Sequence, residues 1–283
     1  MTVAAEILAM PDQAPPSGLY ALADLPQRPS IAKQAFGAGW PELDAILKFY
    51  LGQFVVVTGI PGHGKSTFML NVLLKLAVEK RVGSFLYVPE NEGHLREKLR
   101  LMWRGDDKTF RYFCEHQCTV QSSLQHLQQE PAHDIRWVLD HAEWSVTHRG
   151  TEIVMIDPWN ELDRARGRDE TMTDYIGRCL IEIKDFCRAL KAIVIIVAHP
   201  TKAITQTGNR VVSLADIEGS MNWYNKCDNG LIVVREAGNT AKIISAKVRE
   251  IGAGKVGTCH FFVDPQTGKF EPQYGSDSDA AQF

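Results

Sequence analysis

From residue 36 onward the chain alternates short aliphatic runs with longer segments of helical periodicity. Gln53–Thr58 (QFVVVT) is a brief β-branched run without polar alternation, the pattern of a strand buried on both faces. The helix that should follow, from Lys65 to about Lys80, is apolar nearly all round (Phe68, Met69, Leu70, Val72, Leu73, Leu74, Leu76) and is expected to be buried. Ser84–Val88 reads as a second strand, Leu95–Trp103 and Ile135–His148 as helices, and Glu152–Asp157 (EIVMID) as a third strand. A long helix then carries Ile176, Leu180, Ile183, Cys187 and Leu190 on one face, and a fourth strand, Ile193–Ala198, ends at His199. Beyond it, Leu231–Arg235, Lys242–Lys247 and Cys259–Val263 are short strands separated by Gly- and Asn-containing turns, which suits antiparallel hairpins at one edge. Residues 106–133, Gln-rich and moderately polar, suggest short helices and loops with no assignable chemistry. The expected fold is α/β: one mainly parallel sheet flanked by helices, with an antiparallel C-terminal extension.

The first 35 residues lack this texture. Pro11, Pro15, Pro16, Pro26 and Pro29 interrupt any long helix, and Leu19, Tyr20, Leu22 and Leu25 form a small apolar cluster with nothing local to pack on. This arm is either a disordered tail or a segment that docks on another surface, such as a neighbouring subunit. The expected division is therefore an arm over 1–35, one α/β domain over 36–272 and a flexible tail over 273–283.

Composition narrows the partners. A formal net charge of −3 excludes a global basic field, so nucleic-acid binding would have to come from a local patch. The six cysteines lack paired C-x-x-C spacing, which favours reduced thiols over a zinc site. No stretch approaches the roughly twenty apolar residues that span a bilayer, and the apolar run Val3–Met10 contains Glu6 and follows no basic residue. An intracellular, soluble protein is expected.

The most specific chemistry is Gly59-Ile60-Pro61-Gly62-His63-Gly64-Lys65-Ser66, a G-x-x-x-x-G-K-S loop between a strand and a helix, continued by Thr67. Its glycines allow backbone N–H groups to turn inward around phosphates. Lys65 supplies positive charge to the β/γ phosphates of ATP, and the Ser66 hydroxyl can ligate Mg2+. The helix N-terminus adds its partial positive charge. Asp157, closing the third strand, fits the acid that completes the magnesium shell. Hydrolysis also needs a group that activates water; Glu90 and Glu92 follow the second strand, and pattern alone does not choose between them. His199, at the tip of the fourth strand, could sense the γ-phosphate.

These residues give the chain a family resemblance. It resembles the RecA-like motor domain of DnaB/Twinkle-type hexameric replicative helicases, especially the Twinkle and phage primase–helicase branch. The stretches that carry it are GAGWPELD (37–44), GQFVVVTGIPGHGKS (52–66), VPENEGHLREKL (88–99), IDPWNEL (156–162), VAHPTK (197–202), DIEGSMNWYNKCDN (216–229) and SAKVREIG (245–252), all in the family order. The resemblance implies that Glu90, not Glu92, is the catalytic glutamate. It implies that His199 links γ-phosphate state to a DNA-contacting loop over residues 200–218. It also implies that Lys247 and Arg249 form the K-x-R pair reaching the neighbouring subunit's nucleotide, and that the arm around Leu19–Leu25 packs on an adjacent protomer. Lys202, Arg210 and Lys226, set against Asp216 and Glu218, are the candidate DNA-binding charges. The implied activity is ATP hydrolysis at subunit interfaces of a homo-oligomeric, hexameric ring that translocates on single-stranded DNA and unwinds duplex during replication, with a separate primase or loader as a further partner. A RecA/Rad51-like filament-forming recombinase and a KaiC-like regulatory ATPase without DNA share the same core and stand as alternatives. About 35 residues ahead of the motor cannot encode the family's N-terminal primase-like or helical domain, so priming activity is not expected.

Overall fold

The computed structural model describes residues 20–25, 29–90, 92–122, 133–163, 166, 168–201 and 212–273, without the side chains of Glu92 and Ser220. The backbone divides into two units, residues 1–30 and 31–283. Among the described residues of the first, a 3-10 turn at Leu22–Asp24 buries no residue; Tyr20, Leu22 and Leu25 are exposed, and Leu19 lies outside the described residues.

The second unit opens with two short helices, α1 (Ile31–Gln34) and α2 (Pro41–Ile46), before strand β1 (Phe54–Thr58). Helix α3 (Lys65–Lys80) leads to β2 (Gly83–Tyr87); α4 (Glu92–Met102) and α5 (Asp107–Tyr112) lead to β3 (Cys118–Gln121). Helix α6 (Ile135–Arg149) precedes β4 (Thr151–Ile156), and α7 (Met172–Leu190) precedes β5 (Ile193–Val197). Helix α8 (Ser220–Lys226) enters β6 (Asn229–Arg235), and β7 (Thr240–Val248), β8 (Gly257–Val263) and β9 (Phe270–Pro272) complete the unit. Among the described residues, nine strands form one sheet in the order β3-β2-β4-β5-β1-β6-β7-β8-β9.

Alternation along the central strands assigns their two faces. Val55, Val57, Met155, Ile195 and Val197 meet Phe68, Val72 and Leu76 of α3 and Leu95 and Leu99 of α4. Phe54, Val56, Val154, Ile156, Val194 and Ile196 meet Val138 and Ala142 of α6 and Ile176, Leu180, Ile183 and Cys187 of α7. A strand covered on both sides needs no polar alternation, which is why these runs are continuously apolar. Truncating a core residue such as Leu76, which is fully buried, costs about 2–5 kcal/mol.

Three features differ from the sequence expectation. The run at Leu231–Arg235 is not simply part of an antiparallel hairpin: β6 pairs parallel to β1 and antiparallel to β7, so the parallel part has six strands. The segment 106–133 contains β3, the edge strand, whose four residues are mostly half-buried and too few to show a period. The three-residue β9 contains a glutamate and a proline, so composition hides it.

Candidate nucleotide site and interface arginine

The loop between β1 and α3 is shaped by its glycines. Gly59 adopts φ +145°, and a Cβ there would lie 2.2 Å from the Val233 carbonyl oxygen, so only glycine lets the loop pass β6. Gly64, at φ +88°, turns the chain into α3. His63 is held from β6, its Nδ1 accepting the Arg235 N–H at 3.0 Å, and Thr67 sits half-buried in the first turn of α3.

Lys65 is only 4 % exposed, and its ammonium donates to the carbonyls of Gly59 (2.8 Å) and Ile60 (3.1 Å). Burial lowers its pKa to about 8, against the opposing pull of Asp157 and Glu90. Asp157, at the C-terminal end of β4, is also buried; burial raises its carboxyl pKa, while the Ser66 hydroxyl that donates to it, Lys98 and Lys65 act in the other direction. Ser66 and Asp157 are thus in contact, two hard oxygen donors suited to one magnesium ion. Glu90 follows β2 and lies exposed at the same edge of the sheet. Its carboxyl pKa is raised, by burial first and then by Glu161, with which it shares a hydrogen bond, and by Asp157. The Glu92 side chain lies outside the described residues.

His199 completes this end. Its backbone N–H donates to Asn160 Oδ1 at 3.2 Å, and its Nδ1 is buried without a hydrogen-bond partner among the described residues. Burial, with Lys65 nearby, lowers its pKa to about 4, so the ring is neutral at physiological pH. Asn160, Glu161 and Lys98 touch or face this cluster, and the sequence reading gives them no role. All three lie within the family-like stretches 88–99 and 156–162, but only the folded chain aims them.

Lys247 and Arg249 sit elsewhere. The Lys247 ammonium donates to the Tyr224 and Asn225 carbonyls and lies 4.9 Å from the Tyr224 ring centroid. Arg249 pairs through Nε with Asp228 at 3.0 Å, and its Nη2 donates to the Asn225 and Cys227 carbonyls. Asp228 in turn accepts the N–H of Phe54, the first residue of β1, whereas the phosphate-type loop leaves after Thr58, the last. Four strand steps of about 3.3 Å put the pair roughly 13 Å of sheet away from its own loop. Lys226 lies at this far end too, its carbonyl accepting from Lys184, and is not brought to the His199 end. Lys202 and Arg210 lie outside the described residues.

With this geometry in place, the comparisons with known proteins are decisive for the family. Residues 26–204 match the AAA domain family. The chain belongs to that family. Its motor domain is of the RecA-like, DnaB/Twinkle type: it is 31% identical over 255 residues to the Twinkle homolog protein, chloroplastic/mitochondrial, of Arabidopsis thaliana. That match takes in 82% of this chain and 36% of the relative, so the chain spans about a third of that protein's length. The AAA-domain fold resembles one solved ATPase domain with a TM-score of 0.70 at 18% identity, over 85% of this chain and 93% of that one. It also resembles a DnaB-like replicative helicase whose structure was described with its interactions with primase (TM-score 0.68, 18% identity, 84% and 63%). The chain is thus an AAA-family domain with the fold of these ATPase domains. No helix among the described residues is long and apolar enough to cross a membrane.

Proposed function

We propose that this AAA-family chain is the motor of a ring-forming helicase, which hydrolyses ATP at subunit interfaces to translocate on single-stranded DNA and separate strands. The observation that supports the interface part is the separation of Arg249 and Lys247 from the Lys65 loop of the same chain: a basic pair at the opposite end of β1 is out of reach of its own nucleotide, as a pair that serves another subunit's would be. The residues at the loop end fit a magnesium–triphosphate complex. Among the described residues, the hydrogen bonds of the buried Lys65 ammonium go to loop carbonyls, Ser66 and Asp157 already touch, and His199 holds a buried nitrogen without a partner.

In this proposal Gly59 to Thr67 and the N-terminus of α3 hold the phosphates, and Ser66 and Asp157 hold Mg2+, which when bound neutralises phosphate charge. Glu90 orients the attacking water and accepts its proton. Its position against Glu161 and Asp157 strengthens it as a base. His199 offers its ring to the γ-phosphate and is followed by the segment 200–218, assigned to the DNA channel with Lys202 and Arg210. Residues 1–35 act as an arm ahead of the 36–272 motor. The proposal includes a hexamer, a separate primase or loader and an intracellular location, each supported by the resemblance to Twinkle- and DnaB-type helicases. One experiment tests the whole: ATPase rate with and without single-stranded DNA, with oligomer mass measured in the same sample. Stimulation by DNA in a closed ring supports the proposal; helical filaments would replace it with a recombinase, and indifference to DNA with a regulatory ATPase.

A further inference from the structure

The far end of β1 holds a buried carboxylate whose partners have one geometric consequence. Asp228 is 6 % exposed. Its Oδ2 accepts the Phe54 N–H at 2.9 Å; its Oδ1 receives Lys184 Nζ at 2.8 Å and Arg249 Nε at 3.0 Å. The same Lys184 ammonium donates to the Lys226 carbonyl at 2.9 Å, and the Arg249 Nη2 to the carbonyls of Asn225 and Cys227. The C-terminal turn of α8, the first residue of β1 and a lysine of α7 therefore converge on one carboxylate, and that carboxylate grips Arg249 by the base of its guanidinium.

A fork held at Nε and Nη2 keeps a fixed plane and leaves Nη1 outside these hydrogen bonds. The planar guanidinium makes this possible; a lysine in its place would keep spare donors, but on a rotatable ammonium with no fixed plane. From this we infer that Asp228 is the positioning residue of the interface arginine: it fixes Arg249, through Nε, in the orientation in which it meets the neighbouring subunit's triphosphate. Anchoring on Phe54 gives the grip a second property. β1 runs rigidly from Asp228 to the Lys65 loop, so the arginine a subunit lends is mounted on the strand that carries its own nucleotide loop. This inference rests on the proposed trans role of Arg249.

The test uses the full-length chain and equal mixtures of variants under conditions of subunit exchange. Asp228→Asn keeps an acceptor for Phe54 but removes the charge that holds the guanidinium. It should lower kcat for ATP by about 10- to 100-fold, the cost of misplacing a reacting group by about 1 Å, with KM changed less than about twofold. Mixed with Lys65→Ala, it should recover activity, because about a quarter of head-to-tail interfaces then pair an intact loop with an intact, well-held arginine. Mixed with Arg249→Ala it should not, since both variants damage the same contributed group. In the Arg249→Ala background, Asp228→Asn should add no further loss. Should Asp228→Asn fail to fold, Asp228→Glu takes its place: it keeps the charge but moves the grip on the guanidinium by one methylene, so a misplaced arginine predicts the same complementation pattern with a smaller loss of kcat. Recovery of Arg249→Ala by Lys65→Ala, without recovery of the Asp228 variant, would overturn the positioning role. Failure of the Arg249→Ala and Lys65→Ala pair, with subunit exchange verified, would instead overturn the trans reading beneath it.

Discussion

The two ends of strand β1 store charge in opposite ways. At the C-terminal end, Lys65 is buried against carbonyls, His199 keeps an unpartnered nitrogen, and Glu90 is pushed against Glu161 and Asp157. At the N-terminal end, Arg249 and Lys184 are both paired to the buried Asp228 and further satisfied by backbone carbonyls. A buried cation hydrogen-bonded to carbonyls alone, beside a buried ring nitrogen without a partner among the described residues and crowded carboxylates, fits a site completed by a multiply charged ligand and its metal ion. A cation that must cross to another molecule has the reverse need: it has to be stable and correctly aimed before the partner arrives.

The largest effects should separate the two ends most clearly. Lys65→Ala should abolish hydrolysis and weaken triphosphate binding together, because it removes charge from the phosphates themselves. Arg249→Ala should lower kcat by about 10³-fold or more, the scale of an arginine supplied in trans, while nucleotide affinity measured by titration stays nearly unchanged. Loss of binding in both variants would erase the distinction between the ends. Glu90→Gln comes next: binding nearly intact, with hydrolysis down by ~10²-fold or more. If Glu92→Gln gave that result and Glu90→Gln did not, the water-activating carboxylate would have to be reassigned.

Much of the loop end is readable from residues alone, because its chemistry is local. A glycine-rich turn between an apolar strand and a buried helix constrains Gly59 to Ser66 through short-range geometry, and Asp157 and His199 are marked by where their strands stop. The far end is legible only as a K-x-R resemblance. Asp228 carries no local signal: its partners Phe54, Lys184 and Arg249 come from three separated segments, and a lone acid before a strand looks like a turn residue. Glu161 is hidden for the same reason, since its proximity to Glu90 depends on β2 and β4 being neighbours. The folded chain places Lys226 on α8 at the Asp228 end, while Lys202 and Arg210 lie outside the described residues. Strand β6 reads as part of a hairpin because its connection to β7 is short, while its parallel partner β1 lies far away in sequence.

The smallest effect concerns stability and pH, and it probes the unsatisfied character of the loop end directly. His199 has its pKa lowered to about 4, by burial first and by Lys65 second, against an ordinary value near 6.5. Between those values the unfolded chain binds a proton at this residue and the folded chain does not, so acidification favours unfolding. The contribution is fully present above about pH 6.5 and is lost progressively as pH falls toward about 4. One proton bounds the slope at about 1.4 kcal/mol per pH unit, and solvent screening of the half-buried ring makes it smaller. His199→Gln removes the titrating group and should flatten this part of the stability–pH curve, measured by denaturant unfolding without nucleotide. His63, also lowered by burial and by Lys65 and Arg235, remains in the variant and leaves a residual slope of the same sign. Saturating ATP and magnesium should change the wild-type slope more than that of His199→Gln, because a phosphate beside the ring favours its protonated form. An identical response in both proteins would show that His199 does not face the γ-phosphate.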